Sequence, residues 1–172
     1  MNYRYLKINS PNLIIEAIKL IGTKEIVGTS HNQVIIKWAK ELELEKIYTS
    51  DEIPWCGLFV AIVCKRAGKE VVLNPLWAKN WLKFGTHEPV AMLGDILVFE
   101  RDSGGGHVGF YVGEDIDCYH VLGGNQGNMV SVVRILKTRC IGIRRPIWKI
   151  AQPKSVRVIK LEKTGEISQN EA

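Results

Sequence analysis

Gly94-Asp95-Ile96-Leu97-Val98-Phe99, followed by Gly104-Gly105-Gly106-His107-Val108-Gly109-Phe110-Tyr111-Val112, is the stretch where the hydrophobic period of this chain changes. Upstream, apolar residues recur at helical spacing. From Gly94 onward they come in short runs bounded by Gly, Asn and Asp, which is the pattern of strands and turns. The strands expected are Ile96 to Phe99, His107 to Val112, Cys118 to Leu122, Met129 to Leu136 and Cys140 to Arg144. Glu114, Asp115 and Asp117 mark one turn and Gly123-Gly124 another, so the second half reads as an antiparallel meander.

Working back from that stretch, the first half reads as helices. Ser10-Pro11 is a helix start, with Leu13, Ile14, Ala17, Ile18 and Ile21 as its apolar stripe and Gly22 as its stop. A second, amphipathic helix is expected from Gln33 to Leu44. The third begins near Trp55 and ends at Gly68. It is apolar nearly all round until Lys65 and Arg66, which predicts a central, buried helix. A short fourth helix is expected from Asn74-Pro75 through Phe84, with Trp77 and Trp81 read as core. Helices first and strands second give an α+β arrangement. Residues 1–150 read as one domain. Residues 151–172 read as a basic extension carrying Lys154, Arg157, Lys160 and Lys163, with an edge strand over Val156 to Leu161 and a disordered remainder.

The chain has 172 residues, enough for a sizeable core, and a formal charge of +5. Its Lys and Arg residues are scattered, which favours a polyanionic partner without naming one. Residues Met1 to Ser10 lack a continuous apolar stretch, and no run approaches a membrane span. The expectation is therefore synthesis in the cytoplasm, with any outside target reached through another factor. No two of the four cysteines form a C-x-x-C pair, so metal and redox sites are not expected. Cys64, Cys118 and Cys140 read as structural thiols.

Cys56 is different. It sits in Ile53-Pro54-Trp55-Cys56-Gly57-Leu58-Phe59-Val60, at the mouth of the central helix, and His107 follows three glycines at the start of a strand. A thiol at a helix start can be activated by the helix dipole and a nearby imidazole, so the two together read as nucleophile and base. The base needs a partner to fix its tautomer and orientation. Folding the hairpin about Asp115 puts Gly123 or Gly124 opposite His107 and brings the Asn125 amide within reach. His120, expected opposite Phe110 or Tyr111, is the alternative third residue. Trp55 and the loop Gly104–Gly106, including Gly105, are expected to wall the substrate cleft, with Gln126 as a further binding residue.

The chain resembles the cell-wall hydrolase branch of the papain-like cysteine peptidases, the NlpC-type and CHAP domains. The resemblance rests on Pro54-Trp55-Cys56 with the helix behind it, Leu93 to Phe99, Gly106 to Gly113 and Leu122 to Gln126, in the family's order, across residues 10–148. It implies a papain-like fold, with the nucleophile helix packed on a C-terminal antiparallel sheet. It also implies Cys56 as nucleophile and His107 as base, with no cofactor. By analogy with NlpC-type domains the third residue would be His120; by analogy with CHAP domains it would be Asn125, which hairpin geometry favours. One departure is Gly57, where many relatives carry Ser or Ala. The implied activity is that of a peptidoglycan amidohydrolase, an endopeptidase or amidase like those of phage lysins. Its partner would be peptidoglycan or its peptide fragments rather than nucleic acid. Two alternatives share these residues: a non-catalytic wall- or nucleic-acid-binding module, and a cysteine peptidase or acyltransferase acting on protein.

Overall fold

The change of period at Gly94 is the architectural boundary of the molecule. The computed structural model describes residues 3–28, 30–101, 104–148, 151–169 and 171. Three α-helices, α1 (Asn12–Ile18), α2 (Gln33–Glu41) and α3 (Cys56–Arg66), precede all six strands of an antiparallel sheet. The strands are β1 (Thr86–His87), β2 (Ile96–Glu100), β3 (Gly106–Glu114), β4 (Cys118–Gly123), β5 (Ser131–Leu136) and β6 (Cys140–Arg145), in the spatial order β1-β6-β2-β3-β4-β5. The fold is thus mixed α+β. Among the described residues no helix is long and apolar enough to cross a membrane.

α3 is the central element, as its unbroken apolar run demands: every residue from Cys56 to Cys64 is buried. An aromatic chain ties it to its neighbours. Trp38 of α2 lies 6.1 Å from Trp55 and 6.4 Å from Phe59, and Phe59 meets Phe110 of β3 edge-on at 6.0 Å. Asn32 caps α2 by accepting from the Val34 N–H. α2 ends at Glu41, short of Leu44, because Glu43 takes a left-handed φ of 60°.

Asp95 holds the start of β2 to the end of β6. It accepts from Arg145 Nε at 2.9 Å and Nη2 at 2.7 Å, and its Oδ2 also takes the Met92 N–H at 2.8 Å. The expected fourth helix is a 3-10 segment, Ala78–Lys83. There Trp81 is buried and donates its indole N–H to Pro75 O at 2.9 Å, whereas Trp77 is 75% exposed and not part of the core.

The chain boundary expected after residue 150 falls on residues 149 and 150, outside those described. Beyond it, the edge strand expected over Val156 to Leu161 reduces to one bridged residue, Lys160 beside Glu114. The remainder does not trail away among its described residues. Ile167 bridges Arg134 at the outer edge of β5, and Glu171 is fully buried. Residues 170 and 172 lie outside the described set.

Candidate functional site

The site forms where the N-terminus of α3 meets the start of β3. Cys56 is the first residue of α3 and is 3% exposed; His107 is fully buried. The backbone N–H groups of Val108, Gly57 and Cys56 itself act on the Cys56 sulfur, so the sulfur lies against the residue that follows His107. The backbone around Gly57 leaves no room for a side chain: a Cβ there would stand 2.2 Å from Pro75 O and 2.9 Å from Leu76 O. The segment before the 3-10 helix rests directly on the first turn of α3.

The residue that reaches His107 is Gln126, not Asn125. Gln126 Oε1 lies 3.0 Å from His107 Nε2, and the Gln126 amide nitrogen donates to Ser131 O at 2.6 Å and Val121 O at 3.2 Å. With its nitrogen committed to two carbonyls, the amide presents oxygen to the ring. His107 Nε2 must therefore carry the proton, and Nδ1 is the basic nitrogen. That Nδ1 is buried and has no hydrogen-bond partner.

The reason Gln126 succeeds is the turn. Asn125, Gly127 and Asn128 all take positive φ (58°, 61° and 61°), and the Gln126 N–H closes on Met129 O at 3.0 Å. The chain reverses so that the longer amide passes beneath Gly123. A Cβ at Gly123 would fall 2.5 Å from Gln126 Oε1 and 3.1 Å from His107 Nε2. Asn125 is buried and its Oδ1 has no partner. Gln126, expected to bind substrate, is a positioning residue here.

His120 is remote from His107. A bulge between Tyr111 and Gly113 sets it opposite Gly113, and the Tyr5 hydroxyl donates to Val112 O at the bulge. His120 Nε2 pairs with Asp115 Oδ2 at 2.9 Å and Nδ1 with the Tyr3 hydroxyl at 2.9 Å, while Arg134 Nε donates to the same Asp115 oxygen at 2.7 Å. That network locks the β3–β4 turn. Trp55 is also not a cleft wall. It is fully buried, donates to Glu25 Oε2 at 3.1 Å, and packs against Gly124, where a Cβ would meet its ring at 2.8 Å. Gly105 is exposed and its carbonyl accepts the Arg101 N–H at 3.1 Å; Gly106, at the start of β3, abuts Ala78 and Lys79.

Three charged residues missed in the sequence act on the pair. Arg101 follows β2, Arg139 precedes β6, and both guanidinium groups act on His107; Arg101 acts on Cys56 as well. Glu171 is the carboxylate between them. Burial pushes the Cys56 thiol above its ordinary pKa, opposed in part by Arg101 and the backbone N–H groups. Burial pulls His107 down to about 4, with Glu171 and the Gln126 bond opposing it and the two arginines adding to it. Near neutral pH this form of the site holds a neutral thiol and a neutral imidazole, with no hydrogen bond from His107 Nδ1 to the sulfur.

All four cysteines are free, with Cys64 and Cys118 buried and Cys140 half-buried. No group of three or more His, Cys, Asp or Glu among the described residues is arranged to hold a metal ion. The described cavities lie elsewhere, the larger of about 590 Å³ beside the far end of α3 and Trp148. Comparison of the chain with protein-family models, curated proteins and solved structures finds no match.

Proposed function

We propose that the chain is a cysteine-nucleophile amidohydrolase of papain-like architecture, acting on the stem peptides of peptidoglycan. One observation carries the chemistry. Gln126 fixes His107 as the Nε2–H tautomer, which leaves an unpartnered basic Nδ1 beside the residue whose N–H meets the Cys56 sulfur. The wall substrate rests on the resemblance of the Pro54-Trp55-Cys56, Gly94-Asp95 and Gly106-His107-Val108-Gly109 stretches to NlpC-type and CHAP domains.

In the mechanism this reading implies, His107 Nδ1 takes the Cys56 proton and the sulfur attacks the amide carbonyl carbon. As the S–C bond forms, the carbonyl π electrons move to oxygen, and the Cys56 N–H at the start of α3 is positioned to stabilise that charge. Collapse breaks the C–N bond, and the imidazolium gives its proton to the leaving amine. Water then attacks the thioester, passing a proton to Nδ1; the acid leaves and the thiol is restored.

A second reading, a non-catalytic binding module on the same fold, draws on the burial of both Cys56 and His107. Mass spectrometry of purified peptidoglycan after incubation separates the two and reads the bond cut from the product masses. New muropeptides with the wild type and none with Cys56→Ala are expected. Identical digests from the two proteins would end the nucleophile assignment.

A further inference from the structure

Arg139 and Arg101 converge on one carboxylate. Arg139 Nη1 and Nη2 form a two-pronged pair with Glu171 Oε1 and Oε2 at 2.9 and 2.8 Å, and Arg139 Nε is anchored on Glu100 O at 3.2 Å. Arg101 Nε is 3.8 Å from Glu171 Oε2, an ion pair without a hydrogen bond. Arg101 Nε and Nη2 are buried and have no hydrogen-bond partner. A buried N–H left unpaired is costly, so two such groups beside a reactive pair point to a ligand larger than the carboxylate now present. Burial works against the charge on Glu171, yet Arg139, His107 and Ser168 outweigh it and hold the carboxyl below its ordinary pKa. The segment that delivers Glu171 runs along the outer edge of the sheet, with residues 162–166 exposed. Ile167 bridges Arg134, the Ser168 N–H donates to Arg134 O at 2.8 Å, and Arg134 Nη1 donates to Gly165 O at 2.7 Å. Arg139 Nη1 donates to Ser168 O at 3.3 Å, and Lys163 pairs with Asp117 at 2.6 Å.

We propose that Arg101 and Arg139 form a carboxylate-recognition subsite beside Cys56 and His107, filled in this form of the molecule by Glu171 as an intramolecular stand-in for the substrate. The ligand class is a peptide carrying a free carboxylate next to the amide to be cut. That ligand class rests on the proposed hydrolase function. The subsite itself is tested without turnover.

The experiment follows iodoacetamide alkylation of Cys56 by peptide mass mapping, with glutarate as the carboxylate probe and glutaramide as its neutral control. In the wild type, alkylation is expected to be slow and indifferent to glutarate. In Glu171→Gln the Cys56 rate rises about tenfold or more, and glutarate but not glutaramide protects it saturably. In Glu171→Gln/Arg101→Gln the rate falls below that of Glu171→Gln, because Arg101 favours the thiolate, and the glutarate protection is lost. Cys64, buried within α3, keeps its wild-type rate throughout. An unchanged Cys56 rate in Glu171→Gln, or a parallel rise at Cys64, overturns the assignment of Glu171 as occupant. Fast alkylation of Cys56 in Glu171→Gln without glutarate protection overturns the subsite. Protection by glutarate in a protein that releases no muropeptides would leave the subsite standing and remove the peptidoglycan reading.

Discussion

Replacing Gln126 by Leu tests whether this side chain sets the tautomer of His107. The substitution keeps the apolar bulk and removes every polar contact of the amide: the 3.0 Å bond to the ring and the bonds to Ser131 O and Val121 O. It leaves His107 Nε2 buried without an acceptor. An orphaned buried donor costs about 1–3 kcal/mol, and the two carbonyls add a smaller loss, so about 2–4 kcal/mol of stability should disappear. For a domain of this size, that corresponds to a fall in melting temperature of about 5–15 °C. The specific signature lies in the ring. Wild-type His107 should show a protonated Nε2 and an unprotonated Nδ1 in long-range 15N–1H spectra at pH 7, and Gln126→Leu should lose that single-tautomer pattern. Gln126→Asn, one methylene short, should not restore it. A leucine variant that melts within a degree of wild type and retains a pure Nε2–H ring would refute the positioning role.

Other outcomes follow from the same contacts. Asp95→Asn should cost about 3 kcal/mol in urea unfolding, because it leaves the buried Arg145 guanidinium with only Glu88 as a full ionic partner. Gly57→Ser should destabilise the protein by about 1–3 kcal/mol and displace Pro75 and Leu76, visible as amide shifts confined to that segment. The pH dependence of stability has a definite sign: His107 is depressed to about 4 from 6.5, so between those values the unfolded chain binds the proton more readily. Its contribution of about 3 kcal/mol is present above pH 6.5 and is lost as pH falls toward 4. Unfolding free energies of wild type and His107→Gln should therefore converge on acidification; parallel curves would contradict the buried neutral ring.

The parts of the molecule legible in the sequence are those decided by local pattern. The period change at Gly94 marks the start of β2, and β2, β3 and β4 stand out because each buries most of its residues and is bounded by turn residues. The unbroken apolar run after Cys56 marks α3 because its length, closed by Lys65, Arg66 and Gly68, suits a helix walled on all sides better than a buried strand. β1 was invisible: it is two exposed residues held only by register with Arg144 and Arg145. The exchange of Asn125 for Gln126 turned on which of several turn-forming residues adopted positive φ, a choice settled by packing beneath Gly123. His120 was displaced by a bulge that no residue type announces. Arg101, Arg139 and Glu171 were beyond reach because they come from three separate segments. Nothing local distinguishes Glu171 from the exposed Glu162 and Glu166 of the same stretch.

The burial that makes the site rigid also disarms it. Removing water from His107 secures its bond to Gln126 and its single tautomer, and the same loss of water lowers its basicity and raises the thiol. Moving the proton from Cys56 to Nδ1 creates two charges where there were none, and a dry pocket opposes that step unless fixed charges help. Arg101 is such a charge for the sulfur, because it favours the thiolate and holds its own proton under all ordinary conditions. It also disfavours the imidazolium, and Glu171 is the compensating anion on that side. The two groups therefore act as a matched pair: the cation favours the Cys56 thiolate and the carboxylate favours the His107 imidazolium. A substrate carboxylate seated between Arg101 and Arg139 would preserve that balance, whereas a neutral ligand in the same place would support only the thiolate. Selectivity for acidic peptides would then arise at the proton transfer itself as well as in binding, so amidating the substrate carboxylate should reduce kcat along with affinity.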